Sequence, residues 1–156
     1  MKKKIILVSS ILFIIDLISK ILIDCNMNLN DSFIIINNFL SITKVYNDGA
    51  SWSILSGYNI ILILIAIVIL IFLYVYQKRF KENSRNLIAF SLLYSGIIGN
   101  MFNRIIYGYV IDFIDFKIFG YDYPVFNFAD IFIVLGVLSL VIAIIKKEDE
   151  YESSSR

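Results

Sequence analysis

Four long apolar stretches divide this chain, and they limit its possible folds more than any other feature. They cover residues 5–23, 58–76, 87–107 and 126–145. Each is close to the roughly 20 helical residues that cross the apolar core of a bilayer. Hydrophobic residues make up 59% of the chain and charged residues only 17%, whereas a soluble domain carries about a quarter charged residues. The pattern therefore predicts an all-α integral membrane protein with four transmembrane helices.

The basic residues indicate which way the chain crosses the membrane. They cluster at residues 2–4 before the first stretch, at 78–85 between the second and third, and at 146–147 after the fourth. Basic loops stay in the cytoplasm. Both termini are therefore predicted to be cytoplasmic, and the segments 24–57 and 108–125 to face outside. The Lys-rich start also resembles a cleaved signal peptide, but Asp16 and Lys20 arrive where a small-residue cleavage site would be needed, so we expect the first stretch to be retained.

The outer segment 24–57 carries structure of its own. Residues 32–36 and 39–46 are rich in β-branched and aromatic side chains and flank the turn-prone pair Asn37-Asn38. This pattern predicts a small extracytoplasmic β-ribbon at the membrane surface. Ser51 to Leu55 are predicted to form a short interfacial helix anchored by Trp52. The alternative is an apolar loop that rests on lipid.

The composition excludes several kinds of chemistry. Histidine is absent and Cys25 is the only cysteine. A Ser-His-Asp triad, a Cys-His pair, a His-ligated zinc, an intrachain disulfide and a Cys-rich metal cluster are therefore ruled out. The net charge of +1 argues against binding to nucleic acid, which requires a basic excess.

Polar residues inside a membrane span are costly unless they are paired or face a cavity. Here they occur as three pairs at helical spacing, all toward the predicted outer ends of their helices: Asp16 with Lys20, Asn100 with Arg104, and Asn127 with Asp130. We expect them to converge on one polar pocket at the outer leaflet. The alternative is that they only hold helices together by hydrogen bonds, which is the interpretation favoured for Asn103 alone.

Two acids, Asp112 and Asp130, have no basic neighbour in sequence. Two carboxyl groups brought together in a medium of low dielectric do not both ionise, so one keeps a proton while the other acts as a base. Such a pair can activate water without a histidine or a metal. From spacing alone, two interfacial carboxylates or an ion-coordinating pair in a transporter fit equally well.

At these residues the chain resembles the lipoprotein signal peptidases (signal peptidase II), which are bacterial membrane aspartyl proteases. Five stretches carry the resemblance in order along nearly the whole chain: 16–20 (DLISK), 47–53 (NDGASWS), 96–104 (GIIGNMFNR), 108–113 (GYVIDF) and 124–130 (PVFNFAD). Two positions depart from the family pattern. Asn103 stands where the family usually has Asp, and Ser51-Trp52 replace the commoner Ala-Phe.

The resemblance implies a function and a site. It makes Asp112 and Asp130 the catalytic dyad of an aspartic endopeptidase, with no cofactor and no metal. It implies substrate-binding or supporting roles for seven further residues: Asp16, Lys20, Asn47, Gly49, Asn100, Arg104 and Asn127. The implied reaction removes the signal peptide from a diacylglyceryl-modified prolipoprotein by cleavage just before the lipidated cysteine.

The resemblance also implies a location and partners. The implied location is the bacterial plasma (inner) membrane, with several spans and the active site at the outer leaflet. We expect one membrane peptidase domain over residues 1–147, a charged cytoplasmic tail over 148–156, and a monomer that contacts prolipoproteins and membrane lipid but no nucleic acid. The rival hypotheses are a small transporter or ion pathway, and a non-catalytic assembly factor.

Overall fold

Four long helices dominate the computed structural model, which describes residues 2–49, 55–118 and 120–149. The helices are α1 (Lys2–Asn26), α2 (Asn59–Tyr76), α3 (Ser84–Tyr107) and α4 (Phe128–Ile145), and a short 3-10 turn (Gln77–Arg79) follows α2. Each helix covers all or nearly all of one predicted apolar stretch.

Three of these helices have the length and composition to cross a membrane: α1, α2 extended by its 3-10 turn (Asn59–Arg79), and α4. Their outward surfaces are apolar; Ile60, for example, is 73% exposed. The central helix α3 is not among them, because serine, asparagine and arginine side chains interrupt its apolar residues. It packs against α1, α2 and α4 and buries Ser91, Ser95 and Asn100. By this measure three of the four predicted spans are supported.

Small residues let α3 and α4 approach closely. A Cβ atom at Gly96 would contact the carbonyl oxygen of Ala129, and would lie 2.7 Å from Cγ1 of Ile133. A Cβ at Gly136 would lie 2.7 Å from Cγ of Leu93. In lipid no hydrophobic driving force brings helices together. Their association therefore depends on van der Waals packing, which such close approach of the backbones improves.

A four-stranded antiparallel sheet lies beside the helices in the order β1 (Ser32–Ile36), β2 (Leu40–Asn47), β3 (Val110–Ile118) and β4 (Tyr121–Asp122). The first two strands confirm the predicted ribbon. The strands β3 and β4, within the segment 108–125, were not predicted and extend this ribbon to a four-stranded sheet. β3 is an inner strand with Val110 to Ile114 buried, so it lacks the alternation that marks a half-exposed strand. The interfacial helix was predicted over 51–55, and residues 51–54 of it lie outside the described part of the chain.

Gly108 sets the direction in which the chain leaves α3 and enters β3. Gly108 has a left-handed φ of +82° and caps α3 through a hydrogen bond from its N–H to the carbonyl of Arg104. Glycine adopts this conformation without the steric cost that a Cβ brings. The turn brings β3 back beside β2, where Asp112 lies opposite Val45.

Glu148, the first residue of the predicted tail, contacts residues at and just before the start of α3. Its carboxylate forms an ion pair with Arg85 at 2.9 Å and accepts from Asn83 Nδ2 at 3.0 Å. Its carbonyl accepts from the N–H of Lys81 at 2.8 Å. Glu148 is therefore held against the start of α3.

Candidate active site

The local sequence at residues 127–130 forms a capping box that places Asp130 in the first turn of α4. Asn127 Oδ1 accepts from the N–H of Asp130, and Asp130 Oδ2 accepts from the N–H of Asn127, both at 3.1 Å. This reciprocal arrangement satisfies backbone donors that have no partner within the helix. The spacing of Asn127 and Asp130 therefore starts the helix as well as building the site.

Asn127 contacts both predicted catalytic acids. Its Nδ2 donates to Asp112 Oδ1 at 2.6 Å, while its backbone N–H contacts Asp130. One residue thus contacts both carboxyl groups, although Asp112 lies on β3 and Asp130 on α4. Asp112 is only 2% exposed.

Each remaining carboxyl oxygen accepts one further amide hydrogen. Asn47 Nδ2 donates to Asp112 Oδ2 at 2.9 Å, and Asn100 Nδ2 donates to Asp130 Oδ1 at 2.7 Å. Asn47 is itself held by the N–H of Gly49, which donates to its Oδ1 at 3.0 Å. All four side-chain oxygens of the two acids are therefore hydrogen-bonded.

Asp16 and Lys20 lie directly behind these groups and form an ion pair of 2.8 Å, with both side chains 1% exposed. Lys20 Nζ also donates to Asn100 Oδ1 at 2.9 Å. Asp16 Oδ1 accepts from the N–H of Ala129 at 2.9 Å. The pair thus links α1 to α3 and to the first turn of α4.

Arg104 and Asn103 follow on α3 and contact backbone rather than each other's side chains. Arg104 donates through one terminal nitrogen to the carbonyl of Gly49 at 2.7 Å and through the other to that of Asn100 at 3.4 Å. Asn103 is buried and accepts from the N–H of Ile111 at 3.2 Å. The residue that departs from the family pattern therefore positions the start of β3, next to Asp112.

The surroundings of Asp112 change its acidity. Its pKa is raised to about 7, mainly because burial removes water from the carboxyl group, and further because Asp130 lies close by. Hydrogen bonds from Asn47 and Asn127 and the charge of Lys20 oppose the rise. A carboxyl group with this pKa exchanges its proton near neutral pH, as general acid–base chemistry requires.

A cavity of about 640 Å³ opens over the two acids. Its polar lining contains Asn47, Asn100, Arg104, Asp112 and Asp130. The rest is formed largely by apolar side chains at 124–126 and along α4 at 131 and 133–135. The arrangement can hold an apolar group beside a pair of carboxyls. Among residues 2–49, 55–118 and 120–149, no cluster of three or more His, Cys, Asp or Glu side chains could hold a metal ion.

A second buried lysine, Lys44, was not predicted from the sequence. It forms an ion pair with Asp24 at 2.7 Å and donates to the backbone carbonyls of Asp24 and Met27 at 3.0 and 2.9 Å. Tyr46 Oη donates to Asp24 Oδ1 at 2.8 Å. These contacts fasten β2 to the end of α1. A lone lysine within a strand of apolar and β-branched residues was the available signal.

Comparison with known proteins shows the family to which the chain belongs. The family profile described as signal peptidase (SPase) II matches residues 8–146. The lipoprotein signal peptidase of Staphylococcus haemolyticus (strain JCSC1435) is 44% identical over 148 residues, which are 94% of this chain and 94% of that protein. The lipoprotein signal peptidase of Staphylococcus epidermidis (strain ATCC 12228 / FDA PCI 1200) is 47% identical over 142 residues, which are 90% of this chain and 88% of that protein.

Solved structures show the same fold. A bacterial membrane enzyme determined by the in meso method at 2.3 Å resolution superposes with a TM-score of 0.83 at 41% identity, over 91% of this chain and 87% of that chain. A second, at 1.9 Å resolution, superposes with a TM-score of 0.80. The three apolar helices and these neighbours identify a membrane protein. The chain belongs to the signal peptidase II family, which confirms the resemblance inferred from its motifs.

Proposed function

We propose that this protein is an aspartic endopeptidase that removes signal peptides from lipid-modified prolipoproteins by cleaving just before the lipidated cysteine. The observation that carries the proposal is the pair Asp112 and Asp130, which Asn127 bridges at the end of an apolar cavity. Membership of the signal peptidase II family supports the peptidase activity.

The chemistry needs one proton on the dyad. The ionised carboxylate takes a proton from water as the water oxygen bonds to the scissile carbonyl carbon, and the protonated carboxyl gives its proton to the carbonyl oxygen. When the carbon–nitrogen bond breaks, the first carboxyl gives its proton to the leaving amine, and the second, now ionised, carboxylate takes back a proton from one hydroxyl of the tetrahedral intermediate, which becomes the new carboxyl group. One water molecule is consumed and neither acid changes overall.

The apolar lining of the cavity is evidence for a lipid-modified substrate. Apolar side chains of α4 and of the segment before it continue directly from the two acids. Burial of an acyl chain is worth about 0.8 kcal/mol per methylene group. An acyl chain bound along this wall would hold the neighbouring peptide bond at the dyad, so a precursor without its lipid would bind weakly.

The proposed arrangement has four spans, with α3 crossing inside the bundle, and both termini in the cytoplasm of a bacterial cell. The dyad then lies at the outer leaflet of the plasma membrane. The peptidase domain is residues 1–147, followed by a cytoplasmic tail, and it acts as a monomer.

A membrane-impermeant thiol reagent should label Asp31→Cys or Asp122→Cys in intact cells of a Cys25→Ser background. Labelling at Lys81 would contradict this topology.

The test is cleavage of a purified precursor with and without its lipid. Asp112→Asn and Asp130→Asn should each lower the rate by more than about 10²-fold, because a proton-transfer group is removed from a unit that acts together. Asp115→Asn is the matched control, since Asp115 lies on the same strand and accepts a hydrogen bond from Thr43 at 2.7 Å. It should keep normal turnover.

The same experiment separates the rival hypotheses. A transporter or an assembly factor predicts no cleavage of the lipid-modified precursor by the parent chain. Near-normal turnover by Asp112→Asn or Asp130→Asn would refute the aspartic mechanism. Equal cleavage of both precursors would refute the lipid requirement.

A further inference from the structure

The orientation of the Asn100 amide is determined by its neighbours. The ammonium group of Lys20 can only donate, so the Asn100 atom that faces it at 2.9 Å is the oxygen. The amide nitrogen must then face Asp130, where it donates to Oδ1 at 2.7 Å. Lys20 therefore fixes the Asn100 amide in the orientation in which its nitrogen donates a hydrogen bond to Asp130.

The other two amides are oriented in the same way by backbone donors. The N–H of Gly49 faces the oxygen of Asn47, and the N–H of Asp130 faces the oxygen of Asn127. Both amide nitrogens must then point at Asp112. Each of these three amides faces the acids with its nitrogen and not with its oxygen, so the proton of the dyad stays on the two carboxyl groups.

The two acids nevertheless lie in different electrostatic surroundings. Asp130 is in the first turn of α4, where the helix dipole favours negative charge, and it accepts a backbone N–H. Its second partner, Asn100, is polarised by the ammonium of Lys20. Asp112 lies within a strand, and its hydrogen-bond donors among the described residues are two neutral side-chain amides. Negative charge is therefore more stable on Asp130.

The charges of the described residues that face the dyad also favour a single proton. They are Asp16 and Lys20 on α1 and Arg104 on α3. Asp16 and Lys20 cancel, which leaves the positive charge of Arg104. One ionised acid in the dyad makes the buried cluster neutral, whereas two ionised or two protonated acids leave a net charge that is costly to bury.

We infer that Lys20 is a positioning residue that acts through Asn100 to keep Asp130 ionised, so that the single proton of the dyad lies on Asp112. This inference rests on the proposed aspartic mechanism. Asp130 is then the base that takes a proton from water, and Asp112 is the acid that gives its proton to the scissile carbonyl oxygen. A pKa of about 7 at Asp112 agrees with this assignment.

The test is the pH dependence of cleavage of a lipid-modified precursor by Lys20→Met. Loss of the positive charge lets Asp112 hold its proton to higher pH. The pH window of activity should move upward by on the order of one pH unit. Lys20→Arg, which keeps the charge and the donors, should retain the window of the parent chain even if its rate falls. Lys44→Met is the matched control, because it removes a buried lysine that pairs with Asp24, away from the dyad.

A purely structural role for Lys20 would lower the rate at every pH without moving the window. An unmoved window in Lys20→Met, or an equal shift in Lys44→Met, would overturn the inference. If Lys20→Met yields too little folded protein, Lys20→Gln is measured in its place, and the same upward shift is expected. Failure of the parent chain to cleave the precursor would instead overturn the proposed function.

Discussion

The buried ion pair between Asp16 and Lys20 should make stability depend strongly on both charges. Each side chain is 1% exposed, so a charge left without its partner has no access to water. Removing one partner of a buried pair costs about 3–5 kcal/mol. In a chain of this size each kcal/mol changes the Tm by about 2–4 °C, so Asp16→Asn or Lys20→Met should lower it by roughly 6–20 °C.

The double variant Asp16→Asn/Lys20→Met should be more stable than either single variant. It removes both charges, and the asparagine oxygen still accepts the N–H of Ala129, which Asp16 accepts at 2.9 Å in the parent. The coupling measured by the double-mutant cycle should therefore exceed about 2 kcal/mol. Thermal unfolding in detergent micelles, followed by circular dichroism, gives the four Tm values.

Asp24→Asn provides the matched control for this prediction. Asp24 also pairs with a buried lysine, Lys44, but its side chain is 33% exposed. Its loss should cost about 1 kcal/mol or less, because water reaches Asp24 and because Lys44 still donates to the backbone carbonyls of Asp24 and Met27. If Asp16→Asn proved no less stable than Asp24→Asn, or if the double variant lost as much as both single variants together, an unpaired buried charge would not be the cause.

Three further predictions concern activity. Arg104→Lys should slow cleavage about ten- to a hundredfold, because lysine loses the fork that reaches two carbonyls; an unchanged rate would mean that Arg104 only extends toward lipid phosphate. The rate of cleavage by the parent chain should fall as the pH rises through about 7, because Asp112, with a pKa of about 7, then loses its proton. A rate constant that stays flat from pH 6 to 9 would contradict this. Gly96→Ala should lower both Tm and turnover, since its methyl group meets Ala129 beside the dyad and overpacking costs about 1–3 kcal/mol; Ser139→Ala on the exposed face of α4 should change neither.

The positions of the helices could be predicted from the sequence because the signal is local. Runs of about 20 apolar residues identify α1, α2 and α4 without knowledge of their neighbours. The polar pair Asp16 and Lys20 marks a face of α1 for the same reason, since residues four apart lie together on any helix. The ribbon of β1 and β2 was predictable because composition and a turn signal both lie within it.

The strand β3 was missed because its evidence is not local. Val110 to Ile114 are all buried, and a continuous apolar run has no period that separates a strand from a loop or a helix. Only its pairing with β2 makes it a strand, and that partner lies about 65 residues away, as in the hydrogen bond between Asn47 and Asp112. The role of Asn103 was missed for a related reason: its partner Ile111 lies only 8 positions away, but the contact depends on a strand that was not predicted.

The sequence by itself therefore determined three membrane helices, the family and a set of candidate site residues, because hydropathy and motif spacing are properties of short segments. The tertiary structure decided what those residues do to one another. Lys20 and Asn100 are 80 positions apart, and only their contact orients the amide toward Asp130. The surroundings of the two acids differ because one begins a helix and the other lies inside a strand. Hydrogen-bond direction and burial depend on three-dimensional neighbours, and no local pattern along the chain encodes them.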